Sequence, residues 1–221
     1  WDYHTALDVD LLKKAWEFAQ VRFPTLRLRF GWDEELVQVV DTQGCLDWRY
    51  RDLSTESDDL VREESIEKIQ REDRQERYDL STGSLFRVHL IKEREDKYRC
   101  ILSNHHAILD GWSNPILLGF VHDVYVRLLR GEAVTVDVDQ SYVNAQQYLQ
   151  AHKKDHKDYW KEQIARLDDR VDLSGLCTQH VNLDDYKHIK TPSIAGIVVS
   201  GGVYEALKKL CHEEGITLNA I

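Results

Sequence analysis

The sequence contains no methionine, not even at position 1, and only 3 prolines among its 221 residues. The missing methionine predicts that the chain is a piece of a longer protein. Its 4 cysteines, Cys45, Cys100, Cys177 and Cys211, are widely separated and form no CxxC pair. This scatter disfavours a zinc site and a disulfide framework, and it is typical of a reducing, cytoplasmic compartment.

Long apolar runs and an excess of basic residues are absent as well. No stretch approaches the roughly 18 apolar residues of a membrane-spanning helix. The opening "WDYHTALDVD" lacks the basic and apolar regions of a signal peptide. The net charge of −10 disfavours nucleic acid as the main partner, since phosphate binding needs clustered Lys and Arg. We therefore expect a cytoplasmic protein with no membrane and no nucleic-acid partner.

The residue pattern predicts a mixture of helices and strands. Helical spacing predicts helices within 8–24, 55–77, 113–131, 142–167 and 202–215, with Asp8 capping the first and Ser113 or Asn114 the third. Alternating or β-branched runs predict strands at 26–30, 36–40, 85–91, 98–104 and 193–200, the third and fourth as a hairpin. The dense charge of 55–77 predicts a solvated helix, with a disordered linker as the alternative, and 168–192 is irregular and polar. This mixture predicts an α/β (α+β) two-layer sandwich, with Trp16 and Trp160 in its core.

Two adjacent histidines follow the predicted strand 98–104, in the stretch "ILSNHHAILDGWSNP". His105 and His106 precede Asp110 and Gly111, which gives an HHxxxDG pattern between a strand and a helix. An imidazole can take or give a proton near neutral pH, so His106 suits a general base or a group that holds a nucleophile. Glycine at position 111 allows a sharp turn and leaves space beside the ring.

Two other interpretations compete with catalysis. Histidines at a strand end are often hydrogen-bonded structural residues, and Gly111 is equally explained as a turn glycine. Two imidazoles and a carboxylate are also sound metal ligands. However, adjacent histidines on a strand point to opposite faces, so both cannot readily bind one ion.

The motif and its surroundings resemble the condensation domains of nonribosomal peptide synthetases. "HHAILDGWS" is similar to that family's HHxxxDG signature. "RFPTLRLRF" is similar to its second motif, R-H-x-x-L-R-T-x-F, with Phe23 in place of the usual His and Leu28 in place of Thr. "ALDVDLLKKAWEFAQ", "YDLSTGSLFRVHLI", "SYVNAQQYL" and "DYWKEQ" resemble further family segments, so the resemblance spans nearly the whole chain.

The resemblance implies a fold of two lobes related to chloramphenicol acetyltransferase, each a mixed sheet flanked by helices, with a tunnel between them. Residues 1–215 resemble the N-terminal lobe, and 216–221 the start of the crossover to a C-terminal lobe. Donor and acceptor peptidyl carrier domains are the implied partners, together with neighbouring adenylation domains. They present phosphopantetheine arms, so no cofactor bound directly by the lobe is expected. The acceptor's aminoacyl amine attacks the donor's acyl or peptidyl thioester and forms a peptide bond.

The resemblance also assigns roles to single residues. His106 is the catalytic histidine, which accepts a proton or holds the amine in line, and Gly111 supplies room and an amide near the reacting oxygen. His105 is structural. Asp110 is expected to form a buried ion pair with Arg27 of the second motif, whose loss would cost about 3–5 kcal/mol. No metal is implied.

Other functions stay open at this point. A wax ester synthase-like acyltransferase also carries HHxxxDG and uses acyl-CoA, although the second motif and "DGWS" favour the peptide synthetase. Heterocyclisation domains replace the histidines with aspartates and are excluded, and Gly111 disfavours epimerisation domains. A carrier-docking lobe without catalysis is the alternative of another class. We expect residues 1–221 alone to be inactive, because half of the tunnel is missing.

Overall fold

A four-stranded mixed sheet organises the first of two compact units, Trp1–Asp168 and Asp169–Ile221. The computed structural model describes residues 1–32, 34–166 and 195–220. In chain order the strands are β1 (Asp2–Tyr3), β2 (Leu28–Gly31), β3 (Val37–Val40), β4 (Asp47–Asp52), β5 (Phe86–Arg94) and β6 (Lys97–Asn104). The large sheet has the order β1-β6-β5-β4, while β2 and β3 form a separate antiparallel pair. β5 and β6 are the predicted hairpin, and β4 lies parallel to β5.

The helices of the first unit largely follow the predicted pattern. They are α1 (Val9–Arg22), α2 (Asp59–Gln75), α3 (Ser113–Leu129), α4 (Ser141–Ala151) and α5 (Lys157–Ile164), with a 3₁₀ turn at Pro24–Arg27. The Asp8 carboxylate accepts a hydrogen bond from the Leu11 amide at 2.9 Å and caps α1 as predicted. The single helix predicted over 142–167 is divided into α4 and α5 by a turn at 152–156.

The apolar core joins α1 and α3 to the sheet. Trp16 is fully buried, and its ring centroid lies 6.2 Å from that of Phe86 on β5. Leu12 and Ala15 from α1 and Val121 from α3 are buried in the same cluster. Burying a large apolar side chain stabilises a fold by about 1.5–3 kcal/mol. The placement of Trp160 in the core is wrong, because α5 buries none of its residues and Trp160 is 59% exposed.

The charged stretch 55–77 forms a helix rather than a linker, and one side of α2 is buried. Asp58 caps it by accepting from the Leu60 amide at 2.9 Å. Its buried residues are Arg62, Ile66 and Asp73. The prediction of a solvated face therefore holds for only part of α2, whose other side carries exposed pairs of opposite charge.

The second unit contains α6 (Gly201–Glu214), which ends at Gly215 with a φ of 64°. This left-handed conformation is the usual stop signal of a helix and agrees with the prediction. A short 3₁₀ turn follows at Leu218–Ala220. The predicted strand at 193–200 is wrong for its described part, 195–200, since a strand needs a hydrogen-bonded neighbour and the described residues provide none. The prediction for 168–192 lies outside the described residues.

Candidate functional site

The HHxxxDG residues form a turn that continues directly from β6. The His105 amide donates to the Leu85 carbonyl at 2.8 Å, which extends the hairpin ladder beyond the strand end. Nδ1 of the His105 ring accepts a hydrogen bond from the Ala107 amide at 3.1 Å. The backbone carbonyl of His105 accepts one from the Ile108 amide, also at 3.1 Å. His105 is half-buried and therefore organises the turn through both its backbone and its ring.

His106 lies at the outer side of this turn and is exposed. Among the residues that the structure describes, none forms a hydrogen bond with its ring. A neutral imidazole offers one N–H donor and one nitrogen acceptor. Both functions of His106 are thus available to a substrate, while its backbone is fixed by the contacts of His105.

Asp110 connects the motif to α3 and does not contact Arg27. Its Oδ1 accepts from the Ser113 amide at 2.8 Å and from the Ser113 hydroxyl at 2.6 Å. These hydrogen bonds lower the pKa of the exposed Asp110 carboxyl below its usual value. The predicted cap of α3 by Ser113 or Asn114 is wrong, since neither side chain caps the helix. The Asp110 carboxylate binds the first residue of α3 instead.

The predicted buried ion pair between Asp110 and Arg27 is wrong. Arg27 Nε donates to the Gln20 carbonyl at 2.8 Å, and its Nη1 donates to the Asp41 carbonyl. Asp110 finds Ser113 only three residues away, and such local bonds require little chain ordering. The local pair therefore forms in place of the long-range one.

Nothing among the described residues requires a glycine at position 111. Its φ lies outside the left-handed region, and a Cβ built at this position would meet no atom within 4 Å. Neither a sharp turn nor close packing among the described residues therefore explains the glycine. The open space beside it is available to a molecule that approaches the turn.

The two motifs singled out in the sequence meet at an apolar recess of about 210 Å³. Ile108, Leu109 and Leu117 line it from the turn and from α3. Phe23 and Leu26, from "RFPTLRLRF", line it as well. The recess gives the site an apolar wall next to the polar turn.

A tyrosine that the sequence analysis did not single out lies against the motif. The Tyr78 ring meets the His105 ring edge to face, with centroids 6.3 Å apart and an interplanar angle of 85°. Its hydroxyl donates to Ser103 Oγ at 2.9 Å. The Arg87 guanidinium lies 4.1 Å from the centroid of the same ring. Tyr78 stands in the family-like segment "YDLSTGSLFRVHLI", but no spacing rule relates it to the histidines.

Arg87 belongs to a buried charged cluster that the sequence analysis also missed. Its Nε donates to Asp73 Oδ1 at 2.7 Å, and His89 Nε2 lies 3.0 Å from the same oxygen. Burial raises the pKa of Asp73, but hydrogen bonds, first of all from Arg87, outweigh it and hold this pKa below its usual value. Polar and apolar residues alternate in "FRVHL", and this alternation indicates that Arg87 and His89 share one face of β5.

No group of three or more His, Cys, Asp or Glu side chains within 1–32, 34–166 and 195–220 is placed to hold a metal ion. None of the helices in these ranges is long and apolar enough to cross a membrane.

The fold and the turn define a mixed α/β unit that presents an HHxxxDG motif. The chain belongs to the condensation-domain family, whose model matches residues 1–221. N-(5-amino-5-carboxypentanoyl)-L-cysteinyl-D-valine synthase of Amycolatopsis lactamdurans is 43% identical over 224 residues, which cover 99% of this chain and 6% of that protein. Bacitracin synthase 3 of Bacillus licheniformis is 24% identical over 223 residues, 100% of this chain and 3% of that protein. The chain thus spans only a small part of the relatives that it matches.

A solved structure shares the fold. The starter condensation domain of rhizomide synthetase RzmA superposes with a TM-score of 0.62 at 20% identity, over 76% of this chain and 43% of that one. The predicted fold class, a chloramphenicol acetyltransferase-like fold with a mixed sheet and flanking helices, is confirmed.

Proposed function

We propose that this chain forms part of an amide-forming acyltransferase that makes peptide bonds in nonribosomal peptide synthesis. The observation that carries the proposal is the exposed ring of His106, which forms no hydrogen bond with the described residues, on a turn that His105 fixes in a member of the condensation-domain family. The 43% identity to a synthase of a cysteinyl-valine peptide supports peptide assembly as the setting.

In the proposed reaction, the amine of an acceptor aminoacyl group attacks the thioester carbonyl of a donor. A C–N bond forms, the C–S bond breaks, and the proton lost by the amine goes to the departing thiolate. An α-amino group has a pKa of about 7.7–8.0, so part of it is already neutral at physiological pH. His106 therefore need not deprotonate the amine before the attack. It accepts the proton as the tetrahedral intermediate forms and passes it to the departing thiolate, or it only holds the amine in line, with Gly111 leaving room for the approach.

The proposed partners are donor and acceptor peptidyl carrier domains, which present the two groups on phosphopantetheine arms, and adjacent adenylation domains. We propose that residues 1–215 form the N-terminal lobe of the condensation domain and that 216–221 begin the crossover to the second lobe. The exposure of His106 supports a further expectation, that residues 1–221 alone have no condensation activity. Product from this purified chain would contradict it.

The test is a mass-spectrometric condensation assay on the two-lobed parent protein. Donor and acceptor carrier domains are loaded, and the masses on both pantetheine arms are measured for wild type, His106→Ala and His4→Ala. His4 is an exposed histidine next to β1 and serves as the control. We expect dipeptide on the acceptor arm with wild type and His4→Ala, and a loss of about 10²–10⁴-fold in rate with a folded His106→Ala.

Two results would count against the proposal. Transfer from acyl-CoA with no product from any carrier pair would favour the wax ester synthase-like alternative. Full activity of His106→Ala would remove this histidine from the chemistry.

A further inference from the structure

We propose that Tyr78 is a positioning residue for the HHxxxDG turn and acts on His106 through the His105 ring. This inference rests on the proposed function, since it assumes that the placement of His106 matters for the reaction. The contacts that carry it run from the end of α2 to the turn.

The Tyr78 ring is held on a rigid support. Arg87 is only 3% exposed, and its guanidinium lies 4.1 Å from the Tyr78 centroid. Three hydrogen bonds fix this guanidinium, to Asp73 Oδ1 at 2.7 Å and to the carbonyls of Asp73 and Glu76 at 3.0 Å each. A cation held over a ring face attracts it, so Arg87 sets the plane of Tyr78.

The hydroxyl end of Tyr78 is fixed as well. It donates to Ser103 Oγ at 2.9 Å, and Ser103 lies on β6 two residues before His105. With its face against Arg87 and its hydroxyl on β6, the ring has no freedom to turn away. Its edge-to-face contact with His105, at an interplanar angle of 85°, then limits the orientations of the imidazole.

The orientation of the His105 ring decides the shape of the turn. His105 Nδ1 accepts from the Ala107 amide, so this nitrogen carries no proton and a neutral ring has its proton on Nε2. His106 is the residue between these two points. Its backbone is therefore bracketed by the His105 amide, bound to Leu85, and by the Ala107 amide, bound to the His105 ring.

Loss of the Tyr78 ring should let the His105 imidazole rotate and release the Ala107 amide. A misplacement of about 1 Å in a catalytic group can lower a rate by ~10²-fold. We therefore expect Tyr78→Leu in the two-lobed parent to lower kcat by ~10- to 100-fold while KM for the acceptor carrier changes less than about twofold. Tyr78→Phe, which keeps the ring, should retain most of the wild-type kcat.

A matched control exists on β1, the edge strand that pairs with β6. Tyr3 meets His122 edge to face at 5.5 Å and 88°, and its hydroxyl bonds His122 Nε2 at 2.6 Å. Tyr3→Leu removes a tyrosine–histidine pair of similar geometry without touching the turn. Its kcat should equal that of wild type.

A second measurement reports the turn without reference to activity. NMR of the parent protein with ¹⁵N-labelled histidine should show His105 as the Nε2–H tautomer in wild type, Tyr78→Phe and Tyr3→Leu. In Tyr78→Leu, the His105 signals should lose this single-tautomer pattern. Unchanged His105 signals and an unchanged kcat in Tyr78→Leu would overturn the inference.

If Tyr78→Leu does not fold, variants of His105 test the hydrogen bond between its ring and the Ala107 amide, through which Tyr78 is proposed to act. The side-chain oxygen of Asn can accept from the Ala107 amide in place of Nδ1, whereas Leu cannot. The kcat of His105→Asn should therefore be ~10-fold or more above the kcat of His105→Leu. Equal loss in both variants would refute the role of this bond. Full activity of His106→Ala would instead refute the proposed role of His106, and no carrier-bound product from wild type would refute the proposed function, so these failures can be told apart from failure of the Tyr78 inference.

Discussion

Asp73→Ala is expected to destabilise the domain strongly, because it leaves buried partners without their carboxylate. The side chains of Arg87 and Asp73 are only 4% and 6% exposed, and His89 shares the same oxygen. Removing one member of a buried ion pair costs about 3–5 kcal/mol. Arg87 keeps the carbonyls of Asp73 and Glu76 as acceptors, so we expect a loss near the lower limit, about 3 kcal/mol.

Urea unfolding of the condensation domain, followed by circular dichroism, measures this loss as a shift of the midpoint at constant slope. Glu72→Ala is the matched control, since Glu72 is the neighbouring acid on α2 and its side chain is 64% exposed in a pair with Lys68. Glu72→Ala should lower the free energy of unfolding by less than about 0.5 kcal/mol. Asp73→Asn keeps an oxygen acceptor but no charge, and should fall between the two.

The pH dependence gives an independent check on the same carboxylate. The native pKa of Asp73 is lowered, so its stabilisation is fully present above the unfolded pKa of about 3.9. It is lost as the pH falls through the lower native pKa. The difference in stability between wild type and Asp73→Asn should therefore begin to shrink as the pH falls below about 4. A loss under about 1 kcal/mol for Asp73→Ala at neutral pH, or a gap from Asp73→Asn that persists in acid, would refute this reasoning.

Two further predictions concern the turn itself. Gly111→Ala should leave the stability unchanged or raise it by about 0.4–1 kcal/mol, because the added Cβ meets no described atom. The condensation rate should fall ~10-fold, because the methyl group obstructs the approaching amine. Full activity in the mass-spectrometric assay would show that the space is not used. Asp110→Ala should slow condensation with little change in the urea midpoint, because Asp110 is exposed and bonds only to Ser113 among the described residues. A midpoint shift as large as that of Asp73→Ala would instead favour the buried pairing with Arg27.

Elements with a local signal were predictable from the sequence. α1 has a helical apolar period between Asp8 and Pro24, and the β5–β6 hairpin alternates around a charged turn. β4 was missed although Trp48 and Tyr50 alternate with arginines, because four of the six residues in "DWRYRD" are charged and the end of the strand is exposed; its parallel pairing with β5 identifies it. The break between α4 and α5 was missed because residues 152–156 contain no Gly or Pro.

The site was predictable as a motif but not as a set of contacts. The sequence places His105 and His106 after a strand, and the structure agrees. The partner of Asp110 could not be predicted, because a nearby Ser113 and a distant Arg27 compete for the same carboxylate and only the folded chain decides. Tyr78 contacts the turn, and Arg87 contacts Tyr78, through tertiary packing that no spacing along the chain indicates.

The arrangement of the sheet has a bearing on the order in which the chain folds. β5 and β6 are joined by a turn of two residues, Glu95 and Asp96, whereas β4 pairs with β5 only across α2. Hairpins form in about 1–10 μs, and pairings that close long loops form more slowly. We expect amide deuterium exchange to be slowest in β5 and β6 and faster in β4, and the reverse order would contradict this. The turn that presents His106 thus follows the part of the sheet that we expect to form first, and we expect local opening to begin at the edge strand β4.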